Sequence, residues 1–191
     1  MVAPPIATMT EAEYLAFERA NEARHEYVKG NVYEMVGITM RHRHIVMNTA
    51  MSLHGQLRGT ECHVLFTSMR IKIQATGMYA YPDIVAYCGK AELEDDAEDT
   101  LLNPTVLIEA LSPATQNYDR STKWVNYQEI KSLQAFLFVG HDAHFIEHYI
   151  RLDDRRWTDK TTRGLESAIT LPTINCTLAL ADVYEGVNLK E

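Results

Sequence analysis

The stretch "YPDIVAYCGK" (Tyr81–Lys90) opens an apolar run with Pro82-Asp83, and "PTVLIEALSP" (Pro104–Pro113) sets Glu109 inside a second apolar run. Short continuous apolar runs bounded by Pro and Gly read as buried strands. A carboxylate in each is costly unless a cation lies close by. Two such strands pairing in an antiparallel or mixed sheet bring both acids to one end of it. Two oxygen ligands on rigid strands are what Mg²⁺ or Mn²⁺ takes, with water and substrate phosphate completing the shell.

Around these strands the pattern alternates between helix and strand. Thr10 followed by Glu13 is a capping-box signature for a short helix, and Lys29-Gly30-Asn31 between apolar and aromatic residues marks a hairpin. Ile45, Val46, Thr49, Leu53 and Leu57 recur near the helical period, with Gly59 placed to end that helix. "CHVLFT" and "MRIKIQ" read as strands, "DRSTKWVNYQEI" as a helix with Asp119 at its N-cap, and "AFLFVG", "HFIEHYI" and "RRWTDKT" as later strands. The expectation is an α/β (α+β) fold, a mixed sheet flanked by helices, forming a single domain over 1–191.

Composition sets wider limits. The chain has 191 residues, 46% hydrophobic and 23% charged, as in ordinary globular proteins. No apolar run is long enough for a membrane span, and "MVAPPIATMT" lacks the basic and apolar regions of a secretion signal, so a cytoplasmic protein without membrane partners is expected. Cys62, Cys88 and Cys176 have no zinc spacing and read as reduced core thiols. The net charge is −8, but much of the excess sits in "KAELEDDAED" (Lys90–Asp99), which is expected to be a solvated loop. The methionines Met35, Met47, Met51 and Met69 and the aromatics Tyr79, Tyr81 and Tyr87 read as core.

Pro82-Asp83 followed by an acid in a later strand resembles the PD-(D/E)XK nuclease superfamily. More narrowly, the ordered set "RHEYVKGNVYEM", "GITMRHRHI", "MRIKI", "YPDIV", "LLNPTVLIEALSP", "YDRSTKWVNY" and "LPTINCTLALADVY" resembles the large bacterial family of "putative restriction endonuclease" domains, over roughly residues 8–186. The resemblance implies a restriction-endonuclease-like fold and Mg²⁺- or Mn²⁺-dependent cleavage of DNA. Asp83 and Glu109 would be the metal ligands. Glu26 on the first hairpin would be a further catalytic acid. His42 would be a substrate contact or a helix cap. Position 111, where the superfamily has its lysine, is Leu, and Lys123 on the following helix is expected to take that role. Tyr118, Asp119 and Tyr127 are expected to scaffold that helix. A homodimer would supply two centres for a duplex. The competing readings are a silent nuclease-fold scaffold, which the shortage of positive charge favours, and an enzyme acting on RNA or small nucleotides.

Overall fold

Thr10 begins the first helix by the reciprocal exchange its sequence calls for. Its hydroxyl accepts the Glu13 N–H at 3.3 Å, and the Glu13 carboxylate accepts the Thr10 N–H at 2.8 Å. In this computed structural model, which describes residues 4–35, 37–66 and 69–189, α1 runs Glu11–Ala20 after a short β1 (Ala7–Thr8). The hairpin of β2 (His25–Val28) and β3 (Asn31–Glu34) turns through Lys29 and Gly30 at φ +49° and +88°. Two successive left-handed residues match the twist of the flanking strands, and glycine accepts the second at no steric cost. The long helix α2 (Met40–Leu57) is capped by the Thr39 side chain, and Gly59 follows its end at φ +79°.

Next come β4 (Cys62–Phe66), β5 (Arg70–Ile73), β6 (Met78–Ala80), β7 (Ile84–Cys88), β8 (Thr100–Leu101) and β9 (Val106–Ala110). A helical segment follows as α3 (Gln116–Tyr118), a π turn over Asp119–Lys123, and α4 (Trp124–Tyr127). Then come β10 (Ala135–Val139), β11 (Phe145–Ile150), β12 (Lys160–Arg163), β13 (Ala168–Leu171), β14 (Cys176–Ala179) and α5 (Leu180–Val183). The mixed sheet is divided in two. One sheet runs β1-β3-β2-β6-β5-β8 and the other β12-β11-β10-β9-β7-β4, each parallel at one pairing, β5 with β8 and β9 with β10. β13 and β14 form a separate two-stranded sheet that packs into the core beside α2.

Strand alternation sorts the core. Ile84, Ile108 and Leu137 project from one face of the second sheet onto Ile45 and Leu53 of α2 and Leu178 of β14. From the opposite face Val85, Leu107, Phe136 and Phe138 meet Ile71, Ile73 and Met78 of the first sheet. The site lies on this second face, where the sheets converge.

Two expectations need correction. Cys62 and Cys88 face each other across the β4–β7 ladder and form a disulfide, because the register of those strands, which sequence spacing does not reveal, makes them cross-strand partners. Met47 and Met51 of α2 are exposed, since Ile45, Thr49 and Leu53 already define its core face; Met35 is partly exposed. The acidic segment is a largely exposed loop, as expected, and cations on α1 and β5 also tie it down. The Arg19 guanidinium reaches Asp95 and Asp99, each at 2.8 Å, and the fully buried Arg70 donates to Asp99 at 2.7 Å and Thr100 at 2.8 Å. Lys72 pairs with Glu94 at 2.7 Å.

The Arg19 fork holds the Asp99 carboxyl well below the usual carboxylate range, helped by Thr100 and Arg70, and it lowers Asp95 as well. A carboxylate whose folded pKa is depressed stabilises above its unfolded value of about 3.9 and loses that contribution as pH falls through the folded value. Arg19→Ala is therefore expected to cost about 1 kcal/mol or less at pH 7, given the partial exposure of these groups. In urea denaturation across pH the deficit should shrink below about pH 4; a deficit constant down to acid pH would contradict the assignment.

Candidate active site

The strand ladders decide where the two acids fall. β7 and β9 are antiparallel with Ile84 opposite Ile108 and Val85 opposite Leu107. Continuing that register by one residue sets Asp83 across from Glu109. By the same alternation both side chains lie on the face of Val85 and Leu107, which looks toward the first sheet. Asp83 is fixed from two sides: its Oδ2 accepts the Ala110 N–H at 2.8 Å, and its Oδ1 lies 2.9 Å from His42 Nε2. His42 is buried in the first turn of α2, and Thr39, not His42, caps that helix.

Lys123 reaches the same point from the helical segment. Its ammonium lies 3.0 Å from Glu26, 3.1 Å from Glu109 and 3.6 Å from Asp119. All four side chains are nearly fully buried. The π turn carries Asp119 and Lys123 together: the Trp124 N–H bonds back to the Asp119 carbonyl, one residue further than in an α-helix. Such turns recur at functional sites. Asp119 is thus inside the helix and faces the lysine, where the sequence suggested an N-cap.

Tyr127 completes the shell by donating its hydroxyl to Glu109 at 2.8 Å. Glu26 also accepts the Tyr81 N–H at 3.1 Å, and the Tyr81 hydroxyl donates to the buried Glu18 at 2.7 Å. The network therefore runs from α1 through the hairpin to β9.

The electrostatics follow from crowding charge into little solvent. Burial pushes Glu109 well above the usual carboxylate range against the pull of Lys123, and burial likewise raises Asp119. For Lys123, burial alone would depress the ammonium; Glu109 and Glu26 outweigh it and leave the pKa raised.

Glu26, His42, Asp83, Glu109 and Lys123, the residues singled out from sequence, all line one cavity of about 570 Å³. Tyr33, Tyr81, Tyr118 and Asp119 line it too. The sequence treats Tyr81 as core and Tyr118 and Asp119 as scaffold, and nothing in it marks Tyr33; the signal that distinguishes all four is their crowding beside Glu26 and Lys123, which needs the hairpin and helix to be folded together. Among the described residues no group of three or more His, Cys, Asp or Glu is arranged to hold a metal ion. The donors present are nonetheless hard carboxylate oxygens, and the position between Glu26 and Glu109 already stabilises one positive charge. Mg²⁺ needs only one or two carboxylates when water and phosphate supply the rest, so Asp83 and Glu109 fit it in kind.

Two mixed sheets meeting at such a cavity define a restriction-endonuclease-like fold. The solved structure of a putative nuclease belonging to DUF820 from Anabaena variabilis shares it, with a TM-score of 0.77 over 94% of this chain and 99% of that one at 14% identity. The chain belongs to the Uma2 family, described as "putative restriction endonuclease", whose model matches residues 11–181. Two proteins of Synechocystis sp. are similar along most of their length. Uncharacterized protein sll1609 is 26% identical over 157 residues (82% of this chain, 89% of that one). Uncharacterized protein slr1290 is 27% identical over 183 residues (96% and 95%).

Removing the shared cation should leave three buried acids without compensation. Lys123→Met is expected to destabilise the fold by about 3–5 kcal/mol, and adding Glu109→Gln should recover part of the loss because the two sites are coupled. Urea denaturation of the single and double variants checks this; additive losses would show that the groups do not act as a unit.

Proposed function

We propose that this protein is a metal-dependent phosphodiesterase that hydrolyses DNA, with Asp83 and Glu109 as ligands for Mg²⁺ or Mn²⁺. The observation that carries the reading is the placement of both acids on one sheet face, at a cavity open to solvent, with the Lys123 ammonium 3.1 Å from Glu109. Membership of the Uma2 family and the likeness to the Anabaena "putative nuclease" support it. A bound Mg²⁺ or Mn²⁺ supplies Lewis-acid polarisation of a phosphoryl oxygen and a lowered pKa for a coordinated water.

The chain's own residues supply position and charge. His42 and the Ala110 N–H hold both oxygens of Asp83, so that carboxylate is oriented before substrate arrives. Tyr127 and Lys123 orient Glu109. Lys123 offers its ammonium to the attacking water or to the charge that builds on the phosphate oxygens. Glu26 keeps the ammonium in place and serves as the further acid of the site. In this reading residues 1–191 form one domain acting in the cytoplasm as a homodimer, with His42 near enough to touch the substrate. No helix among the described residues is long and apolar enough to cross a membrane.

With Mg²⁺ or Mn²⁺ the purified protein is expected to cleave DNA, and EDTA should stop it. Asp83→Asn and Glu109→Gln, which keep side-chain shape, should abolish cleavage while circular dichroism shows the fold retained. Lys123→Ala, assayed where it remains folded, should slow cleavage by about 10²-fold or more. Equal inertness of the wild type and both acid variants toward DNA, RNA and nucleotides would replace this reading with a non-catalytic scaffold.

A further inference from the structure

Charge is distributed unevenly over the walls of the site cavity. Lys123 is the one Lys or Arg among its described lining residues, and three carboxylates already hold it. The exposed part of the wall carries no basic side chain: Met35, Ile38, Pro113 and Ala114 are apolar, Glu34 is acidic and Thr39 is neutral. Tyr33 and Tyr118 stand at the same wall with ring centroids 6.3 Å apart and planes tilted by 43°. Duplex DNA presents one phosphate charge per about 1.7 Å of axis and is held chiefly by Lys and Arg. Laid across this mouth, its backbones would meet Glu34 and apolar side chains.

A single unstacked base suits the same wall far better. Every base has a π face that stacks on aromatic side chains irrespective of sequence. At about 570 Å³ the cavity has the size of sites that take small molecules. Positive charge next door comes from Arg41, which with His44 and His141 lines a second depression that shares Thr39 with the cavity. The phosphates of one strand leaving the cavity would pass there.

We propose that the cavity receives one unstacked base of single-stranded DNA, at a flap, gap or frayed end, and that fully paired duplex is excluded. This rests on the phosphodiesterase reading, with the scissile phosphate against Asp83 and Glu109 and the neighbouring base between Tyr33, Tyr118 and Ile38.

The test pairs binding with cleavage. A single-stranded oligodeoxynucleotide carrying one 2-aminopurine is titrated with metal-free protein, alone and annealed to its complement, and its fluorescence is followed. The same strand, its blunt duplex and a duplex with a single-stranded flap are then offered with Mn²⁺. Single strand and flap should be bound and cut at least about 10-fold better than blunt duplex. Tyr33→Ala should weaken single-strand binding by roughly 5- to 100-fold, while Tyr33→Phe, which keeps the ring, should not. Ile38→Asp, at an exposed wall position, should weaken it as well if Tyr33→Ala does not fold. Duplex bound or cut as well as single strand overturns the proposal but leaves the phosphodiesterase reading standing, and so does wild-type affinity in Tyr33→Ala or Ile38→Asp. Selective single-strand binding with no cleavage upholds the base pocket and removes the hydrolytic role.

Discussion

The Lys123 ammonium, held among Glu26, Glu109 and Asp119, is the interaction on which the arrangement of this molecule depends. Those carboxylates come from three separate parts of the chain: a hairpin strand of one sheet, a central strand of the other, and the helical segment. None of them is stable in a dry interior alone. Bringing them to one cation therefore fixes how the two sheets face each other, as well as the local charge. Around that point the aromatic and aliphatic core between the sheets provides the low-dielectric setting in which the pairing is strong.

Local rules made much of the fold legible. The Thr10–Glu13 exchange, the Lys29-Gly30 turn and the period of α2 each involve residues a few positions apart, so their chemistry survives being read in one dimension. What stayed hidden depends on register between distant segments. Cys62 and Cys88 have no spacing that marks a bridge, yet they are direct partners across two strands. The acidic run is the solvated loop its composition suggests, but its pairing with Arg19 and Arg70, on α1 and β5, shows only once those elements are placed against it. The exposed Met47 and Met51 show the limit of composition, since an apolar residue outside the helix's core stripe has nowhere to bury.

The candidate site divides along the same line. Asp83 and Glu109 could be picked out because an acid in an apolar strand demands a partner. Lys123 could be reached through the family resemblance, since Leu111 stands where the superfamily has its lysine. Asp119 and Tyr127 were visible as helix residues, but their turn toward Lys123 and Glu109 depends on the π turn and on close packing against β9. Tyr81 read as plain core, whereas its N–H and hydroxyl link Glu26 to Glu18.

The Cys62–Cys88 bridge has a consequence for the chain before it folds. It closes a loop with a sequence separation of 26 that contains β5, β6 and the Pro82-Asp83 turn. Confining a loop of that length removes roughly 3–4 kcal/mol of conformational freedom from the unfolded ensemble in the chain-entropy model. The oxidised polypeptide therefore never explores arrangements in which β4 and β7 are far apart. With the bridge intact, Asp83 stays inside a closed ring even in the unfolded chain.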